Sequence, residues 1–417
     1  MSNRFSSVEE IVKFGFCMGC GLCAAPSLTQ GKIEMSVDDL RRPRPKLHQP
    51  LSEHEERSII SICPGINVIA DAKDRSGAAP DPVWGHVARL NLGYATDPAI
   101  RFRAATGGVM TALSMHLLRT GRVAKVLQVR PYPDQPLVAV PHVSTSPKEV
   151  LDASGSRYGP ASPLTVVSQL LDEGEPFAAA LKPCDIAGLR NLQRTEPRAR
   201  DLIRFTMAMF CGTTPDLEPT LAFLDRSNVR EEELVSYSWR GNGCPGPVRA
   251  ETLDGRVAET TYNDLWLSAP FKAQFRCRIC PDAVGELADI ATGDCWPGGE
   301  PMGEDAGMNA IVAHTALGET VLAEAEAEAV LATHEYNLAD LNAAQPHHVR
   351  LKQEVKDRLE AKYGAGSPRA NFQGMRLDIL SDQLSDEARA QVRAATIKRI
   401  ESGATSETFE MPEVIKD

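Results

Sequence analysis

Three cysteines at a spacing of two, Cys17-Met-Gly-Cys20-Gly-Leu-Cys23, are answered some forty residues later by Cys63-Pro64, and this set constrains the fold more than any other feature. A C-x2-C-x2-C run wraps three thiolates around three corners of a [4Fe–4S] cube, and the fourth corner falls to a remote cysteine, often one followed by proline. Gly19 and Gly21 suit such a loop, whose tight turns a side chain would resist. Zinc is the competitor, but structural zinc sites usually pair two C-x2-C knuckles instead of three successive cysteines and a distant one. The spacing therefore predicts an iron–sulfur site on Cys17, Cys20, Cys23 and Cys63.

The N-terminal residues, Met1-Ser-Asn-Arg-Phe-Ser-Ser7, lack an apolar targeting segment, and no stretch approaches the ~20 apolar residues of a membrane span. The expectation is a cytoplasmic protein, in which ten cysteines are metal ligands or free thiols before they are disulfides. A formal net charge of -11, without clustered Lys and Arg, argues against nucleic acid as a partner. With 42% hydrophobic and 24% charged residues the chain is of ordinary globular composition, and 417 residues predict two or three structural units. Composition leaves homo-oligomerisation open.

Residues 1–80 read as a small ferredoxin-like iron–sulfur unit: a helix over 8–14, the cysteine run, and a polar, proline-bearing stretch over 41–50. Apolar residues between Leu51 and Ile69 are few, so a metal core is expected to supply stability there. The segment 74–82 has linker composition. From Trp84 the pattern alternates: strands over 88–95, 124–130 and 177–181, and helices over 109–118, 163–171 and 186–192. Residues 235–262 read as antiparallel strands around a Gly/Pro loop. This predicts an α/β fold with a mixed-sheet core over 84–331 and a helical C-terminal extension over 332–417. The Glu/Ala run 318–330 reads as a solvated helix.

A second group of cysteines is sparser. Cys277-Arg-Ile-Cys280-Pro281 is a single knuckle; Cys184 falls where a strand gives way to a helix, and Cys211 where an apolar strand meets Gly212. A helix N-terminus favours a thiolate, and strand ends in α/β sheets are where sites form. Spacing leaves two readings open: a second four-thiolate site, or Cys184 and Cys211 as buried small apolar residues.

Several segments together resemble the beta-subunit family of deazaflavin coenzyme (F-420) hydrogenases and dehydrogenases. They are Ala105-Thr-Gly-Gly-Val-Met-Thr-Ala-Leu113, Gly155-Ser-Arg-Tyr158, Lys182-Pro-Cys-Asp-Ile-Ala-Gly-Leu-Arg190, Phe210-Cys-Gly212, Cys277-Arg-Ile-Cys-Pro-Asp282 and Gly285-Glu-Leu-Ala-Asp-Ile-Ala-Thr-Gly-Asp294. With its N-terminal cysteine run the layout is closest to ferredoxin-dependent members such as 7-hydroxymethyl chlorophyll a reductase. The resemblance implies a flavin-binding core carrying FAD and a [4Fe–4S] cluster on Cys184, Cys211, Cys277 and Cys280. It implies flavin contacts near Thr106, Gly107, Gly108, Ser156, Arg157, Tyr158, Lys182, Arg240 and Asn242. Adjacent glycines ahead of the 109–118 helix also fit an anion or flavin edge at its free amides.

The resulting expectation is a ferredoxin-linked reductase. Electrons would pass from ferredoxin, or a similar one-electron donor, through two [4Fe–4S] clusters to FAD and on to a small organic substrate. The alternative is an electron-transfer beta subunit of a hydrogenase or formate dehydrogenase complex that uses the deazaflavin. No G-x-G-x-x-G fingerprint follows a strand, so direct use of a nicotinamide has no support. His116 reads as a core residue, Asp282, Glu286 and Asp289 as caps of a helix after Cys280, and no catalytic acid or base stands out. Cys244 and Cys295 fall outside both sets.

Overall fold

Phe177–Leu181 and Ile203–Met209 are almost wholly apolar, the mark of strands covered on both faces. In the computed structural model, which describes residues 4–70, 79–268 and 272–409, they sit in the middle of an eight-stranded mixed sheet. The strand order is Leu331–Glu335, Arg89–Ala95, Asn309–Ala313, Ile290–Asp294, Ile203–Met209, Phe177–Leu181, Lys125–Tyr132 and Gln135–Ser144. The run from Ile290–Asp294 to Lys125–Tyr132 is parallel, and the strands on either side are antiparallel.

Alternation along the strands divides the core between the two faces. Ala178, Phe205 and Met207 pack beneath the helix Val109–Arg119 with Leu113 and Leu117. Ala179, Leu181 and Ala208 pack on the other face beneath the helix Pro183–Thr195 with Ile186 and Leu189. Three neighbouring parallel strands thus end along one edge and release Cys184, Cys211 and Asp294 there, where open α/β sheets form their sites. A separate three-stranded antiparallel sheet covers residues 234–260, as its pattern predicts. Among the described residues no helix is long and apolar enough to cross a membrane.

Several local expectations change. Leu331–Glu335 pairs with Arg89–Ala95, so the sheet continues past residue 331. The Glu/Ala helix, Ala316–Ala327, buries Val321, Leu322 and Ala325 against the sheet, while Glu324 and Glu326 pair with Arg122 and Arg89. Alanine fits either face, which hid the buried stripe. The proline-bearing stretch 41–50 contains the strand Pro43–Leu47, paired with Ile33–Val37; a two-stranded ribbon is all edge and accommodates proline.

The N-terminal unit does not rest on a metal core alone. Leu22, Ile62 and Val68 share a core with Leu164 and Ile186, and Asn67–Ile69 pairs with Asn371–Gln373. Of the expected linker 74–82, residues 74–78 lie outside the described residues.

The described residues 281–289 form no helix. The Asp282 carboxylate instead accepts from the amides of Gly285 at 2.8 Å and Glu286 at 2.9 Å, folding the chain into a turn that enters Ile290–Asp294. Glu286, fully buried, meets Lys352 at 2.6 Å from the helix Pro346–Gly364, and also pairs with Arg376. Asp289 accepts from the Thr206 amide and hydroxyl at 2.8 Å and pairs with Arg190 at 3.0 Å. These carboxylates are structural. Replacing Glu286 with alanine strands the buried Lys352, and chemical denaturation is expected to show a loss of about 3–5 kcal/mol.

Candidate functional site

The first four cysteines come together. Gly19 and Gly21 adopt φ of +75° and +85°, and a Cβ on Gly21 would meet Thr165 at 2.6 Å, so the loop can close only with glycine there. The Cys20 carbonyl accepts from the Leu164 amide at 2.9 Å, and that of Gly19 from the Ser162 hydroxyl at 2.9 Å. Cys63 caps the C-terminus of the helix Glu53–Ile62 and is thereby turned back onto the loop. Cys17, Cys20, Cys23 and Cys63 line one cavity with Met35, Ile59 and Ile62. Burial, then the neighbouring thiols, pushes the Cys23 thiol well above its ordinary range and Cys63 up to about 12. A bound cation would favour the thiolate forms of this group.

The second four also converge, which spacing left open. Cys184 lies in the first turn of Pro183–Thr195, and the Cys211 amide donates to Ala283 at 2.8 Å, which brings the knuckle segment across the strand end. Cys184 is within electrostatic range of Cys211 and Cys280, and Cys211 of Cys277 and Cys280; burial raises the thiols of Cys184, Cys211 and Cys280. Lys182, expected at the flavin, holds its ammonium 2.9 Å from Asp185 and beside Cys184 and Cys211. Burial opposes that charge, but Asp185 and the Cys184 thiol outweigh it and raise its pKa. Among the described residues no three His, Cys, Asp or Glu side chains close around a single ion. The first set lines a cavity, and the second is brought within electrostatic range at the strand ends.

Two residues link the sets. The fully buried Asp185 acts electrostatically on Cys20 of one set and on Cys184 and Cys211 of the other. Arg276, 2% exposed and adjacent to Cys277, donates to the carbonyls of Gly65 at 2.8 Å and Pro64 at 3.0 Å, immediately after Cys63. Its charge lowers the thiols of both Cys63 and Cys280.

A third site lies along the same edge. Arg240 is buried, with its guanidinium 2.7 Å from Asp294 and 2.6 Å from the Ala105 carbonyl, and Asp294 also accepts from the Thr106 hydroxyl. The guanidinium lies 5.0 Å from the rings of both Tyr262 and Trp296, a cation–π arrangement. Tyr158 stacks edge-on to Trp266 at 5.0 Å and sits within electrostatic range of Arg240. Thr106, Tyr158 and Arg240, from three distant segments, therefore meet.

The rest of the expected flavin set is less central. Arg157 donates to the Ser154 carbonyl at 3.3 Å, its Nε is buried without a hydrogen-bond partner among the described residues, and burial followed by Arg103 lowers it to about 10. Ser156 is half-buried beside it, and Asn242 is exposed at φ +55°. Gly107 and Gly108 serve close packing: a Cβ on Gly107 would meet Asn309 and Gly93 at 2.8 Å, and the Val109 amide donates to Asn309 at 3.3 Å. Asp294, Tyr262, Trp296 and Asn309 were missed by sequence reasoning. Only Asp294 had a signal, as the last residue of a segment matched to the family.

The second set and the third site are neighbours. His348, buried at the start of Pro346–Gly364, is beside the backbone of Cys211 and feels Asp294, with its ring 6.0 Å from that of Phe210. Burial and then His347 lower it to about 4, so it is neutral at pH 7. Cys244 is buried, and burial and Asp305 push its thiol up to about 12; Cys295 donates to the Tyr336 hydroxyl at 3.3 Å. His116 is buried, with Nδ1 3.4 Å from Glu328.

Comparison with known proteins decides the family. Residues 91–168 match the N-terminal and residues 174–338 the C-terminal model of the coenzyme F420 hydrogenase/dehydrogenase beta subunit, together more than half of the chain. The chain belongs to this family. It is 26% identical over 281 residues to the F420-dependent formate dehydrogenase 1 subunit beta of Methanococcus maripaludis, covering 64% of this chain and 68% of that protein. It is 22% identical over 305 residues to the coenzyme F420 hydrogenase subunit beta of Methanosarcina barkeri, covering 70% and 95%. A chain in the F420-reducing [NiFe] hydrogenase complex of Methanosarcina barkeri shares the fold, with a TM-score of 0.54 and 22% identity over 70% of this chain and 99% of that one.

This is an oxidoreductase family, and it corrects the leading functional expectation. The relatives are beta subunits of hydrogenases and formate dehydrogenases that use the deazaflavin, so the ferredoxin-linked FAD reductase of an organic substrate gives way to the alternative. The N-terminal cysteine run prompted the reductase reading, and it lies outside the matched residues. Replacing Arg276 with methionine removes two charge-assisted hydrogen bonds and leaves two buried carbonyls unmet. The expected result is about 2–4 kcal/mol lower stability in urea, with faster amide exchange at residues 65–67.

Proposed function

We propose that the chain is the electron-transfer beta subunit of an oxidoreductase complex of the hydrogenase or formate dehydrogenase kind, exchanging electrons with a deazaflavin coenzyme. The observation that carries this reading is the adjacency of three sites: two sets of four largely buried cysteines linked by Arg276 and Asp185, and the Arg240–Asp294 pocket beside the second set.

Cys17, Cys20, Cys23 and Cys63 would hold one [4Fe–4S] cluster and Cys184, Cys211, Cys277 and Cys280 the other, with FAD at the pocket of Thr106, Tyr158 and Arg240. Bound there, the clusters supply one-electron transfer and the flavin couples it to two-electron exchange with the deazaflavin. The protein's part is positional and electrostatic. Arg276 and Lys182 offset the negative charge of thiolate ligands inside a core that would otherwise disfavour it. Asp294 keeps Arg240 charged and oriented, and the faces of Tyr262 and Trp296 keep water from it. The catalytic subunit of such a complex is the protein partner this reading requires.

Anaerobic purification followed by iron, sulfide and flavin quantification is expected to give about eight irons and one FAD per chain, with about four irons in each of Cys17→Ser and Cys277→Ser. The chemically reduced protein should then reduce the oxidised deazaflavin. A colourless zinc protein, or a fully loaded protein that exchanges no electrons with the deazaflavin, would overturn the proposal. Replacing Arg240 with alanine should cost roughly tenfold or more in FAD affinity while iron content is unchanged, because a buried charge-assisted contact is lost only at the third site.

A further inference from the structure

A cavity of about 350 Å3 adjoins the Cys277–Cys280 segment. Its floor is Phe275 and Arg278, from the segment bearing Cys277 and Cys280. Its walls come from the helices Pro346–Gly364 and Asp386–Glu401, which contribute Glu354, Arg358 and Arg399, with Leu384 and Val392 as apolar lining. Both helices lie beyond residue 338, where the match to the family ends, so the walls, though not the floor, stand outside the matched core.

Charge in the cavity is unbalanced. Three arginines face one carboxylate, Glu354, which pairs with Arg358. Arg358 also donates to the Arg278 carbonyl at 2.6 Å, which fixes the wall to the floor. Among the described residues neither Arg278 nor Arg399 has a carboxylate partner; Arg399 donates to the Ala395 carbonyl at 3.2 Å, within its own helix. Nearby arginines of the same helix are treated differently, since Arg389 and Arg393 are both paired with Asp357. In a chain of net charge -11, a half-enclosed cavity with an excess of two positive charges needs an explanation.

We propose that this cavity is a binding site for a small, multiply charged oxyanion, a polycarboxylate or a phosphate, held by Arg278, Arg358 and Arg399. Guanidinium forks match the paired oxygens of either group, and a volume of this size suits a small-molecule ligand. An anion seated here rests against the knuckle that carries Cys277 and Cys280.

The test is isothermal titration of the anaerobically purified full-length protein with pyrophosphate and, separately, with citrate. Saturable one-to-one binding of at least one probe is expected, weakening as chloride is raised. Which probe binds tighter distinguishes a phosphate from a polycarboxylate ligand. Arg399→Ala, on a half-exposed helix position, and Arg278→Gln should each weaken binding roughly tenfold or more, and Arg399→Lys less than Arg399→Ala. Circular dichroism confirms that the variants fold. No binding of either probe, binding indifferent to both substitutions, or binding only of an acidic polypeptide would overturn the proposal. The measurement uses no redox step, so its failure is separate from failure of the proposed function.

Discussion

The guanidinium of Arg276 is the interaction on which the arrangement depends. It belongs to the C-terminal half of the core, beside Cys277, yet it donates to the two carbonyls that follow Cys63 in the N-terminal unit. A buried arginine is tolerated only where its donors are met, and here those acceptors belong to the other cysteine loop. Asp185 completes the link from the opposite side, near thiols of both sets. Neither unit can shift relative to the other without exposing or orphaning a charge.

The sheet supplies the remaining geometry. Adjacent parallel strands advance in register and end at one edge, so residues far apart in sequence emerge side by side at Cys184, Cys211 and Asp294. The helix Pro346–Gly364, outside the matched family core, buttresses that edge through Lys352–Glu286 and places His348 between Cys211 and Asp294. An extension to the family core therefore supports the site from behind and, with Asp386–Glu401, forms the arginine-lined cavity.

Legibility in the sequence followed the range of the interactions. The strands at Arg89–Ala95 and Phe177–Leu181 and the helix Val109–Arg119 were readable because local period and burial agree there. The strand Pro43–Leu47 was not, since its prolines speak against a strand unless the ribbon is known to be all edge. The turn after Cys280 was misread as a capped helix, because an aspartate that bonds forward to backbone amides looks the same in sequence whether a helix or a turn follows. Trp296, Tyr262 and Asn309 carried no local signal; their role comes from what they stand against. The N-terminal cysteine run was legible as a site and still misled the functional reading, which the matched core corrected.

By itself, the sequence determined that Cys17, Cys20, Cys23 and Cys63 meet at one cavity, because four thiols at that spacing need only a short loop and a helix end to come together. It also determined the α/β core, through strands apolar enough to be covered on both faces. Spacing left Cys184, Cys211, Cys277 and Cys280 open and the family resemblance grouped them; only the tertiary structure decided that these thiols come within electrostatic range of one another, that Lys182 stands with them, and that Arg240 is held by Asp294. The physical reason is distance along the chain. Those contacts are made where separate strand ends meet, and that meeting is a property of sheet order, which no local pattern encodes.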